Sequence, residues 1–230
     1  DVELGIAFFL DGEEEKVIEK GVTYYPLRFP KHSWKEKAQA FICSANTLIV
    51  NERKRIPLYE EIIRKPLEDF KPDVIMVFGS EMPFGLVAGI TDIPVILHIQ
   101  GILNPYLNAY LPPFVSWKEY KSIGNGWKNR LHKRIERKMW MVSCARETEI
   151  CKRVINYFGR TDWDYRVMQI LHPGANYLFA SEVLRPVFYQ PMERALPGKL
   201  TIVTTISSPL YKGYDLVLKT AKMLSEKGVF

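Results

Sequence analysis

The sequence predicts an α/β protein built on a Rossmann-like parallel sheet with helices on both of its faces. Two segments of strand length, Asp73 to Phe78 and Val95 to Ile99, are apolar at nearly every position. Such strands are typical of a parallel sheet that is covered on both faces. Between them, the turn Gly79-Ser80-Glu81 precedes Met82 to Ile90, which is predicted as a short crossover helix. Together they form a strand, helix, strand unit.

This unit also predicts where a ligand binds. In open parallel sheets, ligands bind outside the carboxyl ends of the strands. Gly79, Ser80 and Glu81 follow the first strand, and Gln100 and Gly101 follow the second. Both turns are therefore expected at the mouth of a cleft, and the function is expected there.

Length and composition bound the protein class. The 230 residues are 47% hydrophobic, which is enough for one good core or two smaller ones. The three cysteines form no CxxC or metal-binding spacing, so we expect free thiols in a reducing, cytoplasmic environment. Apolar runs do not approach the roughly 18 to 20 residues that span a bilayer.

The two ends of the sequence suggest a fragment. Asp1 is followed at once by a predicted strand, Val2 to Phe9, with no initiator methionine. A strand at Leu200 to Ile206 and a helix at Tyr214 to Lys227 form half of a βαβ unit, which stops as Val229 and Phe230 would begin the next strand. We therefore expect that the chain is cut at both ends.

The region before the central unit is predicted in less detail. A second strand is expected at Val22 to Tyr25, closed by Pro26, and a loop at Arg28 to Lys37. Residues 38 to 70 are predicted to be helical in pieces, with Pro57 at a helix start and Pro66 at a kink or break.

A proline-rich and aromatic segment, Ile102 to Ser116, follows the central unit. It is predicted as a long loop on the carboxyl side of the sheet. Such a loop is either a lid or substrate-contacting segment, or an ordinary connection packed by its aromatic residues.

The positive charge is concentrated in one segment. Trp117 to Trp140 carries eight Lys and Arg residues against two Glu, so it accounts for the whole net charge of +6. Gly126 to Met141 is predicted as a helix with apolar residues at spacings of four: Trp127, Leu131, Ile135 and Met139.

Two interpretations of the basic residues stay open. They form a solvated charged face, or they adsorb to an anionic membrane surface through Lys133, Arg134, Arg137 and Lys138. Nucleic acid is not expected as a partner, since the sequence around the helix contains no recognised nucleic-acid-binding module.

A third strand candidate, Val154 to Phe158, runs into Gly159-Arg160-Thr161-Asp162-Trp163-Asp164. Thr161 and Asp164 have the spacing of a capping box, so a helix is predicted from there to about Leu171.

A glycine turn at a helix amino terminus favours a nearby anion. Alternatively, Arg160 and Asp162 pair with each other or cap the helix. After a further strand at Tyr177 to Phe179, residues 191 to 198 are predicted as a linker.

Several of these segments together resemble a known family. They are KPDVIMVFG with IPVILHIQG, then GRTDWD, then NYLFASEVLRPVFY, and finally SSPLYKGYDLVLKTAKML. The pattern, which spans Val2 to Phe230, resembles the retaining GT-B glycosyltransferases called group 1 or family 4. The resemblance implies two Rossmann-like domains facing each other across a cleft. Residues 1–197 would be the acceptor domain without its first strand, and residues 198–230 the truncated start of the donor domain.

The resemblance implies roles for residues on the donor side. Lys212, followed by Gly213, matches the family lysine that contacts the donor diphosphate. A point positive charge there stabilises the leaving group as negative charge develops. The family arginine expected near it is missing from Ile206-Ser207-Ser208, so Ser207 and Arg160 are the candidates to share its role.

It also implies roles on the acceptor side. Many relatives carry a histidine followed by Gly or Asp where this sequence has Gln100-Gly101, with His98 two residues earlier. Gln100 is preferred as the residue that contacts the transferred sugar, because a lone histidine in an apolar strand is more often a core residue. Residues two apart on a strand share a face, so His98 and Gln100 point the same way. Asp162, with the turn after the first strand, is expected to line the cleft.

The predicted function is transfer of a sugar, with retention, from a UDP- or GDP-sugar to a glycan or lipid-linked acceptor in surface polysaccharide synthesis. The resemblance implies no cofactor beyond the nucleotide-sugar and no metal, and residues 1–230 alone are expected to be inactive. The protein is expected in the cytoplasm, peripherally at the inner face of the cell membrane. Two other functions stay open, a non-catalytic module that docks on a membrane or partner, and a GT-B nucleotide-sugar epimerase.

Overall fold

A computed structural model of the chain describes residues 2–12, 15–124, 126–191, 203–205 and 212–229. The chain divides into two compact units. The first comprises Asp1–Leu107 and Gly126–Ala180, and the second comprises Asn108–Asn125 and Ser181–Phe230.

The first unit contains the strands β1 (Leu4–Phe9), β2 (Val17–Glu19), β3 (Val22–Leu27), β4 (Ile75–Phe78), β5 (Val95–His98), β6 (Asn156–Gly159) and β7 (Asn176–Phe179). Its helices are α1 (Trp34–Ile42), α2 (Ala45–Phe70), a 3-10 helix (Pro83–Gly89), α3 (Leu103–Asn108), which ends at the unit boundary, α5 (Trp127–Cys151) and α6 (Asp162–Leu171).

The second unit contains α4 (Trp117–Ser122), a short 3-10 helix (Pro186–Tyr189) and α7 (Tyr214–Glu226). Tyr110, Trp117 and Tyr120 form an aromatic cluster around the start of α4. The Nζ atom of Lys219, on α7, lies 3.8 Å from the centroid of the Phe114 ring.

The main sheet has the order β4-β5-β6-β7, and all of its strands are parallel. This confirms the predicted α/β class with a Rossmann-like parallel sheet. A smaller sheet has the order β1-β3-β2, in which β1 pairs parallel and β2 antiparallel with β3. Strand β2 was not predicted, and β3 is longer than predicted, because it continues through Pro26 to Leu27.

Helices cover one face of the main sheet. Val77, Leu97 and Tyr157 lie side by side on that face and are almost completely buried. They form the core with the 3-10 crossover and with residues of α2 and α5 such as Tyr59 and Ile150. Burial of these apolar side chains is the main force that attaches the helices to the sheet.

The opposite face of the sheet corrects a prediction. Phe78, on β4, is 69% exposed, and Leu178, aligned with it three strands further along on β7, is 56% exposed. The expectation that strands are covered on both faces is therefore wrong for β4 and β7 in the described part of the chain. Right-handed crossovers that advance in one direction across a sheet place their helices on the same side, which accounts for the asymmetry.

Three helix predictions are also corrected. Residues 45–70 form one continuous helix, so Pro57 does not start a helix and Pro66 does not end one. The buried stripe Leu48, Ile56, Tyr59 and Ile63 continues past Pro57, and this packing outweighs the missing proline hydrogen bonds. The predicted loop after β5 contains α3, and α5 continues ten residues beyond Met141 to Cys151.

The C-terminal predictions are tested only in part. Helix α7 is confirmed, ending one residue before the predicted Lys227. Most of the predicted strand Leu200 to Ile206 lies outside the described residues, and residues 203–205 have no regular secondary structure.

Candidate functional site at the carboxyl edge of the parallel sheet

The turns after β4 and β5 lie against each other at the carboxyl edge of the sheet. Gly79 has a φ of +79°, and a side chain there would collide with the Glu81 carboxylate. A Cβ atom on Gly101 would lie 3.2 Å from Glu81 Oε1 and 3.2 Å from Cε2 of Tyr106. The backbones at both glycines therefore form the walls around one carboxyl group, that of Glu81.

Glu147, on α5, connects the segments at this edge of the sheet through hydrogen bonds. Its side chain is fully buried. Oε1 accepts hydrogen bonds from Ser80 Oγ at 2.5 Å and from the Leu103 N–H at 2.8 Å. Oε2 accepts from the backbone N–H of Asn104 at 2.8 Å and from its Nδ2 at 2.7 Å. One carboxylate thus ties the turn after β4 to the first turn of α3.

These bonds change the role expected for Ser80. Its hydroxyl was predicted to line the cleft, but the side chain is buried and donates to Glu147. A buried hydroxyl that is already hydrogen-bonded to a carboxylate is a structural group. Ser80 is therefore placed beneath the cleft, and Glu81 lies at its mouth.

The neighbouring residue of α5, Arg146, supports the same turn. Its Nη1 atom donates to Glu52 Oε1 at 2.6 Å, and its Nη2 atom donates to the backbone carbonyl of Glu81 at 2.8 Å. The Tyr59 hydroxyl also donates to Glu52, at 3.2 Å. Arg146 and Glu52 are both buried, so this ion pair lies within the core that underlies the site.

Glu81 is the titratable group at the mouth. Its side chain is partly buried, and this burial, together with the nearby charge of Glu147, raises the pKa of the Glu81 carboxyl. A carboxyl group with a raised pKa at the carboxyl edge of a parallel sheet is suited to exchange protons or hydrogen bonds with a hydroxyl ligand.

His98 and Gln100 lie on the same side of β5 but differ in accessibility. His98 is 6% exposed, and its ring lies near those of Phe78 and Phe158. Its Nδ1 atom is 3.4 Å from Gln100 Nε2, and its Nε2 atom has no hydrogen-bond partner among the described residues. The Gln100 side chain is exposed. Of the two candidates for sugar contact, only Gln100 is open to a ligand.

Arg160 and α6 complete the edge. Arg160 Nη2 lies 3.5 Å from the Gln100 carbonyl, and Asp162 is exposed beside it. The capping box is confirmed, since Asp164 N–H donates to Thr161 Oγ1 and the Asp164 carboxylate accepts from the backbone N–H groups of Arg160 and Thr161. Burial alone would raise the Asp164 pKa, but these hydrogen bonds and the Thr161 hydroxyl hold it below its usual value.

The capping box argues against the anion that was predicted at the amino terminus of α6. The backbone N–H groups of Arg160 and Thr161, just before α6, already bind the carboxylate of Asp164, and the N–H of Asp164 itself binds Thr161 Oγ1. The structure thus favours the alternative in which this turn caps its own helix, although the cap is formed by Thr161 and Asp164 and not by Arg160 and Asp162.

An aromatic pair lies at the same edge. The rings of Tyr106, on α3, and Trp163, on α6, are 15° from parallel with centroids 6.2 Å apart. Trp163 remains 46% exposed. The sequence analysis did not connect these two residues.

The basic residues of α5 do not share one surface. Lys133 is only 8% exposed, and Lys138 Nζ binds the carbonyl of Cys43 at 2.7 Å, at the end of α1. Neither side chain is displayed for adsorption, so both are removed from the predicted membrane-facing set. Arg134 and Arg137 are exposed, and helical spacing places them on one face with the exposed residues Trp127 and Arg130.

Within the described residues, every helix is too short or too polar to span a bilayer.

Of the residues predicted to bind the donor, Lys212 and Gly213 lie in the second unit and Arg160 lies in the first. Lys212 is exposed directly before Gly213, which is the N-cap of α7. Ser207 lies outside the described residues.

Sequence reasoning missed Glu52, Arg146 and Glu147. A signal for the last two was present, since Arg146 and Glu147 interrupt the apolar helical positions Val142, Ile150 and Cys151. Charged residues on an apolar helix face indicate a buried polar network.

Comparisons of this chain with protein-family models, with curated proteins and with solved structures found no match.

Proposed function

We propose that this chain forms the acceptor-binding part, and the beginning of the donor-binding part, of a GT-B glycosyltransferase of the retaining family 4 type. The observation that supports this most is the convergence of Gly79, Glu81 and Gly101 at the carboxyl edge of a parallel sheet, with Gln100 accessible beside them. Ligands of such sheets bind at this edge. The residue pattern that resembles the family supplies the chemical identity.

Glu81 and Gln100 would bind and orient the acceptor. The Glu81 carboxylate accepts a hydrogen bond from the attacking hydroxyl, and Gln100 donates to or accepts from a neighbouring sugar oxygen. The raised pKa of Glu81 moves its proton affinity towards neutral pH, where a carboxylate is more effective in taking up a hydroxyl proton. Hydrogen bonds to Glu147 and from Arg146 fix the turn that carries Glu81. The binding groups therefore need little reorganisation as the acceptor binds.

Lys212 would act on the donor. Its ammonium group stabilises the diphosphate of a UDP- or GDP-sugar as the bond to the sugar breaks. The chain's own residues supply acceptor orientation and one leaving-group contact, and the sugar leaves the donor with its bonding electrons on the diphosphate.

The test is a transfer assay with the natural polypeptide that contains these residues, a panel of UDP- and GDP-sugars, and lipid-linked or oligosaccharide acceptors. Glu81→Gln and Lys212→Ala are each expected to lower turnover by roughly two orders of magnitude. Glu61→Gln, on the exposed side of α2, is the matched control and should leave turnover unchanged.

Three outcomes contradict the proposal. If no donor is consumed, the transferase proposal is wrong. If the donor is converted to an isomeric nucleotide-sugar without an acceptor, the protein is an epimerase. Sugar transfer by residues 1–230 alone would contradict the proposal that residues 198–230 form only the beginning of the donor-binding part.

A second candidate function is docking of a non-catalytic protein on an anionic membrane. It is favoured by one observation, the shared exposed face of Trp127, Arg130, Arg134 and Arg137 on α5. An interfacial tryptophan with basic neighbours is typical of adsorption to anionic lipid. Co-sedimentation with phosphatidylserine vesicles, measured beside donor hydrolysis, separates the candidates, since strong adsorption with no hydrolysis favours docking alone.

A further inference from the structure

The aromatic pair Tyr106–Trp163 is a ligand-facing feature that the proposed function does not yet use. Trp163 is the second residue of α6 and leaves 46% of its surface in solvent at the carboxyl edge of the sheet. Its ring is nearly parallel to that of Tyr106 and offset from it, with the centroids 6.2 Å apart. Trp163 therefore presents an exposed aromatic ring, backed by the ring of Tyr106, beside the residues Glu81 and Gln100.

Both rings are held by anchored backbone. Tyr106 packs against Gly101, where a Cβ atom would lie 3.2 Å from its ring and 3.5 Å from its hydroxyl oxygen. The helix that carries Tyr106 begins at the two backbone N–H groups that donate to Glu147. Trp163 lies between Thr161 and Asp164, the two residues of the capping box. The surface is thus preorganised, which lowers the entropy that a ligand loses on binding.

The surroundings of the pair indicate a neutral ligand with many hydroxyl groups. Arg160, Asp162 and Gln100 provide charged or amide side chains around the rings. A sugar ring has an apolar face of C–H bonds and a rim of hydroxyl groups, and it matches an aromatic surface with such a polar edge.

A nucleotide fits the same surface less well. Its base could stack on an aromatic ring, as bases do in single-stranded nucleic-acid complexes. Its phosphates, however, would approach two carboxylates, those of Glu81 and Asp162, against one cation, Arg160, and the N–H groups just before α6 already bind Asp164. Coulomb repulsion between these like charges favours an uncharged sugar.

We propose that Tyr106 and Trp163 form the stacking platform for a neutral sugar ring of the acceptor. This inference rests on the proposed function, because it names the substrate class that binds at the same edge. Stacking on Trp163 would bring hydroxyl groups of the sugar towards Glu81 and Gln100.

The experiment is saturation-transfer NMR on the protein with a panel of methyl glycosides of glucose, galactose, mannose and N-acetylglucosamine. We expect saturation of the C–H protons of at least one glycoside, and an affinity about tenfold weaker in Trp163→Ala. Trp163→Phe should retain most of the affinity. Trp34→Ala, which removes another exposed tryptophan at a helix start, should leave it unchanged.

A second variant tests the platform without touching Trp163. Gly101→Ala places a methyl group against the Tyr106 ring and should weaken the same glycoside, while circular dichroism reports whether the fold persists. Failure of every glycoside to bind, binding that ignores Trp163→Ala, or uridine monophosphate displacing the glycoside at Trp163 would each overturn the platform.

The platform and the proposed function fail in different ways. Wild-type rates of sugar transfer in Trp163→Ala would remove the platform and leave the transferase intact. Glycoside binding through Trp163 in a protein that transfers no sugar would support the platform and remove the transferase.

Discussion

The two halves of α5 contain the same kinds of charged residue in opposite environments. In the first half, residues 127–140, Arg130, Arg134 and Arg137 are exposed. In the second half, residues 142–151, Arg146 and Glu147 are buried and bind the turns of the candidate site. The difference teaches that the surroundings of an arginine or glutamate on α5, and not its residue type, decide whether it is exposed or structural, and in the first half Lys133 is buried as well.

Partners explain why burial is tolerated in the second half. A buried charge is costly unless a counter-charge or several hydrogen bonds compensate for it. Glu147 accepts four hydrogen bonds, and Arg146 pairs with Glu52. In the same half, burial and the charge of Glu147 raise the pKa of Cys144 and of Cys151 to about 12, so both thiols stay protonated at neutral pH.

The largest expected effect comes from breaking the second half at Glu147. Glu147→Ala leaves the Ser80 hydroxyl and the N–H groups of Leu103 and Asn104 without their acceptor. We expect the free energy of unfolding to fall by about 4 kcal/mol, measured by urea titration. Glu147→Gln, which keeps the shape and one acceptor, should lose less. A loss below about 1 kcal/mol in the alanine variant would show that water replaces the carboxylate.

The next effect comes from the buried ion pair. Arg146→Met leaves Glu52 buried without its counter-charge and should cost about 3 kcal/mol in the free energy of unfolding. The double variant Arg146→Met with Glu52→Gln should recover part of that loss, since no lone charge remains. Additive losses in this double-mutant cycle would contradict the pairing.

A smaller effect is expected at Lys138, the residue of the first half that binds another helix. Lys138→Ala removes a cation from the carbonyl end of α1, which has no basic residue of its own in its last turn. The free energy of unfolding should fall by about 1 kcal/mol. Arg134→Ala, exposed on the same half, is the control and should change stability little.

The Glu81 carboxyl, which lies next to the second half of α5, should make the free energy of unfolding depend on pH. Its pKa is raised in the folded protein, so folding favours its protonated form, and its cost appears as the pH rises through the folded pKa. Glu81→Gln is neutral throughout. Its stability relative to wild type should therefore increase from about pH 4 upwards and level off above the folded pKa. A difference that stays constant with pH would contradict the raised pKa.

The smallest effect on stability is expected from the exposed arginines of the first half. Reversal of Arg130, Arg134 and Arg137 to Glu should change the free energy of unfolding by less than about 1 kcal/mol. Adsorption to phosphatidylserine vesicles should weaken by at least about a hundredfold at low salt, and the difference should shrink as salt is added. The control is Lys138→Ala, which should adsorb nearly as well as wild type. Equal adsorption of the reversed variant would remove this face as a membrane surface.

The parallel sheet and the convergence of two turns at its carboxyl edge were predictable from sequence. Apolar runs identified β4 and β5, and the rule for parallel sheets led to the turns Gly79 to Glu81 and Gln100 to Gly101. The capping box of Thr161 and Asp164 identified the start of α6. Each of these signals is local, since it depends on residues within a few positions of one another.

The groups that support the site were not predictable in the same way. Glu147 is 67 residues from Ser80 and 44 from Leu103 in the chain, and Arg146 is 94 from Glu52. Such contacts arise only when α5 and α2 pack on the same face of the sheet. For the same reason, the sequence did not reveal that Tyr106 and Trp163 lie together or that Lys133 is buried.

The sequence by itself determined β4, β5 and the capped start of α6, because hydrophobic periodicity and capping act over short distances along the chain. The tertiary structure alone decided which charged residues of α5 face solvent and which support the site. It also decided that Phe78 and Leu178 remain exposed on the face opposite the helices. These properties depend on which surfaces meet, and the free energy of burying a charge is set by the groups that surround it after the chain has folded.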